Sequence, residues 1–166
     1  MKSIIIISLI LNILTVNLSK NSLVLIKRHN PLHLEAYLPA FGEWKIGYGT
    51  TNSDFSVTKT KIRPGLKINK DTAEKWLRDS LNKNYVPKIK KYDKIYKWKQ
   101  NQFDALLSYV YDNNSMEILT SNGKKKKEDI AKSLLMYSKI PIISHDDKIK
   151  VMKRIDEYQL FIKGGI

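Results

Sequence analysis

The stretch from His33 to Ser56 constrains this chain more than any other, because it interleaves Tyr37, Phe41, Trp44, Ile46, Tyr48 and Phe55 with Gly42, Gly47 and Gly49. Glycines at that density weaken a helix and suit short strands joined by tight turns, so the stretch reads as a small β-meander. Around it the apolar residues recur with a helical period. Ser22–Arg28 is short and apolar, and it stops before Asn30-Pro31, since the residue before a proline leaves the helical region. After Pro64-Gly65, Ala73, Trp76, Leu77, Leu81 and Tyr85 form one stripe, which Asn69 can cap. Trp98, Phe103, Leu106, Leu107, Val110 and Tyr111 mark a strongly apolar helix at the centre of the core, ended by Asn113-Asn114. Ile130, Leu134 and Leu135 indicate another helix. Ile149, Met152, Ile155, Leu160 and Phe161 indicate a last one, with Pro141 between the two and Gly164-Gly165 closing it. The expected architecture is α+β, a small antiparallel β-meander beside a mainly α-helical lobe. No internal repeat is visible.

At 166 residues, one well-cored domain is the expectation. Lys2 followed by the apolar run Ser3–Val16 has the positive start and the length of a secretory signal, and it is short for a membrane span. Residues 1–19 are therefore expected to be a signal peptide cleaved near Ser19, and residues 20–166 the domain, secreted or otherwise exported. There is no cysteine, which excludes thiol chemistry and a disulfide framework; the core alone must hold the domain together. The net charge is +14, and Lys2 is the only charged side chain among the first nineteen residues, so the mature domain keeps +13. A charge of that size points to an anionic partner. Export makes nucleic acid an unexpected one. The run Lys124-Lys125-Lys126-Lys127 reads as a solvated turn between helices.

Ala36-Tyr37, then Gly42, Trp44 and Ile46-Gly47-Tyr48-Gly49-Thr50-Thr51, match without a gap the signature hairpin of a known family. Three further blocks follow in the same order: Ile68 to Leu77, Gln100 to Tyr109, and Lys153 to Phe161. Over about residues 22–164 the chain resembles the phage-type lysozymes, glycoside hydrolase family 24. The resemblance implies a lysozyme-like fold with a cleft between sheet and helical lobe. That cleft would take the β-1,4-linked amino sugars of peptidoglycan or a related anionic glycan.

Cutting such a glycan requires a carboxylic acid to protonate the leaving oxygen and a second carboxylate to activate water. In the family, the acid is a glutamate six residues before the alanine of the alanine-tyrosine pair, which falls here on Asn30. The second carboxylate, two residues after the tyrosine, falls on Pro39. The threonine ahead of the isoleucine-glycine pair falls on Lys45. An amide has no proton of suitable acidity to give. A lysine cation at about 4 Å from a developing oxocarbenium charge would cost roughly 4 kcal/mol at an effective dielectric near 20, about three decades of rate. Losing the general acid removes roughly 10²–10⁴ more.

Between residues 21 and 60 the only acids are Glu35, Glu43 and Asp54. Glu35 lies fifteen residues before Thr50, the family's spacing from glutamate to threonine, but that register would break every match in the hairpin. Glu43 and Asp54 read as solvent-facing. Glu35 and Glu43 are the fallback catalytic candidates. Tyr37, Trp44, Tyr48, Asn101 and Gln102 are the candidate substrate contacts. His29 and His33 flank Asn30 without a nearby acid and make a poor metal site, so neither metal nor cofactor is expected.

The expected protein is a monomer, without a stable membrane span once the signal is removed. It binds peptidoglycan with lost or much reduced muramidase activity. Two alternatives stand beside that reading. One is an active muramidase that uses other carboxylates. The other is a basic domain that binds membranes or polyanions through charge alone.

Overall fold

The computed structural model describes residues 16–40, 42–136, 141 and 144–166. Residues 1–15, which hold most of the expected signal segment, and Phe41 lie outside the described residues.

Helix α1 (Lys20–His29) is capped by Ser19 and stops at Asn30, just where Pro31 forbids a further turn. Strands β1 (His33–Tyr37) and β2 (Lys45–Gly47) pair antiparallel, with a register irregularity between His33 and Tyr37. The expected meander is thus a two-stranded hairpin. What would be its further strands contribute only isolated bridges, Glu35 with Lys67 and Ile46 with Thr50. Phe55 leaves the sheet altogether: it opens the short helix α2 (Phe55–Thr58) and lies exposed.

Helix α3 (Lys70–Ser80) starts at the Asn69 cap and runs through a π-helical turn, Leu81–Tyr85, into α4 (Val86–Lys90). After the short α5 (Asp93–Tyr96), the central helix α6 (Gln100–Asn113) is buried along most of its length. Asn114 ends it in the left-handed conformation at φ 58°. Trp98 precedes this helix instead of belonging to it, stacking on Tyr96 with centroids 4.3 Å apart. The short α7 (Glu117–Thr120), then α8 (Lys127–Met136) and α9 (His145–Ile162), complete the lobe. Both α1 and α9 pack on α6, so the first and last helices cover the middle of the chain. The α+β architecture expected from the sequence is the one observed.

The lysine run divides in two. Lys125 Nζ donates to Ser133 Oγ at 3.0 Å, and Lys127 Nζ reaches Gln102 Oε1 at 3.0 Å beside the Trp98 ring. Burial pushes the Lys127 ammonium below its usual range, with Lys99 nearby adding to the effect. Only Lys124 and Lys126 are exposed as a solvated turn would have them.

The packed unit also reaches back before residue 20. Val16 is buried, and Leu18 packs against the core. Ser19 and Ser22 both donate to Asp104 Oδ1, at 2.8 and 2.6 Å, and Gln100 donates to the same oxygen at 2.8 Å. Asp104 is fully buried with no ion pair among the described residues, and these three donors converge on its Oδ1 while Oδ2 has no hydrogen-bond partner among them. The expected boundary after Ser19 therefore falls inside the folded unit. A chain that starts at Lys20 loses a buried valine and a helix cap, worth about 3 kcal/mol together. Calorimetry should show it melting roughly 6–10 °C below a chain that starts at Val16.

Candidate functional site

A cleft of about 1010 Å³ separates the hairpin from the helical lobe. Tyr37, Pro39, Glu43 and Lys45 line it from the sheet side. Tyr85, Tyr111, Asp112, Lys150, Lys153 and Arg154 line it from the helices, and Asn30-Pro31 line it from the end of α1.

The hairpin is held at this cleft by Tyr48, which stands in the turn after β2. Its hydroxyl donates to Glu74 Oε1 on α3 at 2.7 Å, Lys27 of α1 sits 4.8 Å over its ring, and its carbonyl accepts from the Tyr111 hydroxyl of α6 at 2.9 Å. Lys27 and Glu74 also form an ion pair. Burial and the Glu74 hydrogen bond push the Tyr48 phenol up to about 12, so it remains a donor at any ordinary pH. Tyr48 is accordingly a buried pin between three helices, not the sugar-stacking surface expected of it.

Asn30 does the work of a helix C-cap. Its side-chain Nδ2 donates to the Ile26 carbonyl at 2.8 Å, and its backbone N–H donates to the same carbonyl at 3.0 Å. Its Oδ1 faces Gly49, where an added Cβ would come within 3.2 Å of that oxygen. The φ of +95° at Gly49 belongs to the region that favours glycine.

The floor of the cleft carries a dense ionic cluster. Asp112, at the end of α6, accepts from Lys153 Nζ and from Arg154 Nη2, each at 2.7 Å. Arg154 Nη1 lies 2.8 Å from Glu157 Oε2, and Ser108 Oγ donates to Glu157 Oε1 at 2.6 Å. Lys153 and Arg154 are more than nine-tenths buried, and Glu157 completely so. Burial raises the Glu157 carboxyl to about 7, outweighing the opposing pull of Arg154, Lys153 and Ser108. His29, expected at the polar surface, has a side chain only 6% exposed, with Nε2 2.9 Å from Asp156 Oδ2. Burial lowers its pKa despite that carboxylate.

The other candidates separate. Pro39 and Lys45, expected from the sequence at the family's aspartate and threonine positions, both line the cleft with Asn30, as do Glu43 and Tyr37. Glu35 does not: its carboxylate is exposed and lies 3.4 Å from Lys67 Nζ, and the irregular register of β1 turns it away from the face that His33 and Tyr37 share. Trp44 packs behind the hairpin against a small core of Ala36, Ile46 and Ile62. Asn101 Nδ2 donates to the carbonyls of Leu160, Phe161 and Lys163, closing the end of α9. Gln102 is buried and accepts from the Lys99 N–H. Trp44, Tyr48, Asn101 and Gln102 thus hold the walls together from behind, and of the five expected contacts Tyr37 alone lies on the cleft surface.

Sequence reasoning missed Asp112 and Lys150, and read Tyr85 and Tyr111 as core. Asp54, read as solvent-facing, is buried and accepts from Asn84 Nδ2 at 3.1 Å. Among the described residues no group of three or more His, Cys, Asp or Glu could hold a metal, and no helix is long and apolar enough to cross a membrane.

Comparison with known proteins places this geometry. The family model described as phage lysozyme matches residues 27–140. An endolysin of Acyrthosiphon pisum secondary endosymbiont phage 1 is 32% identical over 110 residues, 66% of this chain and 68% of that protein. Among solved structures, the endolysin from Escherichia coli O157:H7 phage FAHEc1 superposes with a TM-score of 0.65 at 27% identity, covering 88% of this chain and 93% of its own. The muramidase domain of SpmX from Asticaccaulis excentricus has the same fold, with a TM-score of 0.64 at 22% identity, covering 89% and 99%.

Two outcomes test the geometry of the site. Gly49→Ala places a side chain against Asn30 in a strained backbone, and urea unfolding should show a loss of about 1–3 kcal/mol. Burial holds the Glu157 carboxyl up at about 7 in the folded chain, above the ordinary glutamate value of 4.5 that the unfolded chain has. The folded state therefore binds the extra proton between those values, and the stability this group contributes is present below about 4.5 and lost as pH rises through about 7. His29, with its lowered pKa, acts in the opposite sense. The stability of the wild type relative to Glu157→Gln, measured by urea unfolding from pH 4 to 8, should isolate the glutamate and decline across that window.

Proposed function

Because the chain belongs to the phage lysozyme family, whose members act on peptidoglycan, we propose that it is an exported protein that binds peptidoglycan glycan strands in the cleft without cutting them. The observation that carries this reading is Asn30. At the end of α1, where the family places its proton donor, stands an amide already committed to capping the helix, with Pro39 and Lys45 in the other two family positions on the same cleft.

Among the described residues no other group takes over the acid's role. Asp112 is committed to two cations, Lys153 and Arg154, each 2.7 Å away. Glu157 has the raised pKa of a catalytic acid, but it is fully buried under Arg154 and Ser108. Glu35 faces Lys67 on the other side of the strand. Glu43 is the one carboxylate on the sheet wall with no ion pair among the described residues, and it favours the second reading, a muramidase that recruits a new acid. A residual rate through Glu43 alone would still lack both a paired carboxylate and the positioned water.

The test is direct. Purified protein should co-sediment with murein sacculi yet release no reducing ends, and Glu43→Gln should change neither result. Release of reducing ends by the wild type that disappears in Glu43→Gln would establish the second reading instead. Restoring the family residues together, as Asn30→Glu with Pro39→Asp and Lys45→Thr, should give measurable hydrolysis. Restoring the acid alone should recover at most about 10²–10⁴ in rate over the wild type.

A further inference from the structure

The charge of the cleft is one-sided, and the excess stands on both walls. Lys153 and Arg154 share Asp112, with Glu157 completing their cluster. Lys45 on β2 and Lys150 on α9 are different: each lines the cleft from an opposite lobe, and neither makes an ion pair among the described residues. Against these two free cations the cleft offers one uncommitted carboxylate, Glu43. A hydrolase building positive charge on a sugar ring has no use for that surplus. A site holding an anion bound to the sugar has a use for all of it.

Resting on the glycan reading of the cleft, we propose that its ligand is glycan whose acidic groups are fixed directly to the sugar rings, specifically peptidoglycan strands stripped of their stem peptides, with Lys45 and Lys150 as the residues that select it. In intact peptidoglycan the lactyl carboxyl of every second sugar is masked as an amide to the peptide. The peptide's own acids lie at the end of a mobile chain, where solvent and salt screen them. Removing the peptide consumes one water. The bond between the lactyl carbonyl and the first peptide nitrogen breaks, leaving a carboxylate on the ring and an amine on the departing peptide. The carboxylate is then rigidly placed between the two walls, within a site whose buried cations lower the cost of accepting it. The reaction that supplies this ligand is therefore an amide hydrolysis, upstream of binding.

Titration calorimetry with the full chain decides the matter. The ligands are soluble glycan strands after enzymatic removal of their peptides, the same strands with peptides intact, and chitohexaose as a neutral β-1,4 amino sugar. Stripped strands should bind at least about tenfold more tightly than either other ligand, with affinity falling as salt rises. Lys45→Gln with Lys150→Gln should lose that advantage, so that stripped strands bind the variant no more tightly than chitohexaose does. Equal affinity of the wild type for all three ligands would overturn the selectivity while leaving the glycan cleft in place. An equal loss on Lys124→Gln with Lys126→Gln, which lie outside the cleft lining, would overturn it in favour of net charge alone. No binding to any of the three would overturn both this inference and the reading it rests on.

Discussion

The arrangement depends on how Tyr48 is held. A two-stranded hairpin is marginal by itself, since it buries too little to offset the entropy of ordering it. Here its turn is tied to α1, α3 and α6 at once, through the Tyr48 ring, its hydroxyl and its carbonyl. The tight turn that Gly47 and Gly49 permit is what lets Tyr48 fold back into the helices, and the Lys27–Glu74 pair closes round it. The cleft exists because the hairpin cannot swing away from the lobe.

Within that frame, the end of α1 holds a helix-capping amide at position 30 without any cost to the architecture. Asparagine is a good terminator of a helix, and Asn30 satisfies the backbone there as readily as it fails to donate an acidic proton. The fold therefore asks little of position 30, whereas hydrolysis asks for one residue type only. Lys45 shows the same separation: it pairs with Tyr37 across the hairpin and lines the cleft at once. On the proposed reading, the groove of the family persists without its reaction.

How much of this the sequence disclosed depends on the range of the interactions involved. Helix ends were legible because they are local: Asn69 caps α3, Asn114 ends α6, and Pro31 stops α1. So was the hairpin, through the glycines of its turn. The direction of side chains was not. A register irregularity in β1 sends Glu35 away from the cleft while keeping His33 and Tyr37 on it, and alternation alone cannot reveal that. Asn101 was misread because the first turn of α6 meets the far end of α9, a contact about sixty residues away in the chain, and Gln102 because Lys127, twenty-five residues on, reaches back to its side chain. The buried serines and Asp104 beneath α1 were hidden for the same reason, and with them the fact that the folded unit begins before residue 20.

The central helix has a consequence for synthesis. Helix α6 is covered by α1, α4 and the π-helical turn, but its most extensive partner, α9, comes last in the chain, so that part of its apolar surface stays open until almost the whole polypeptide has emerged. Asp112 cannot meet Lys153 and Arg154 until α9 exists, so on a ribosome the ion cluster and the last cover of the core close only as the final helix is released.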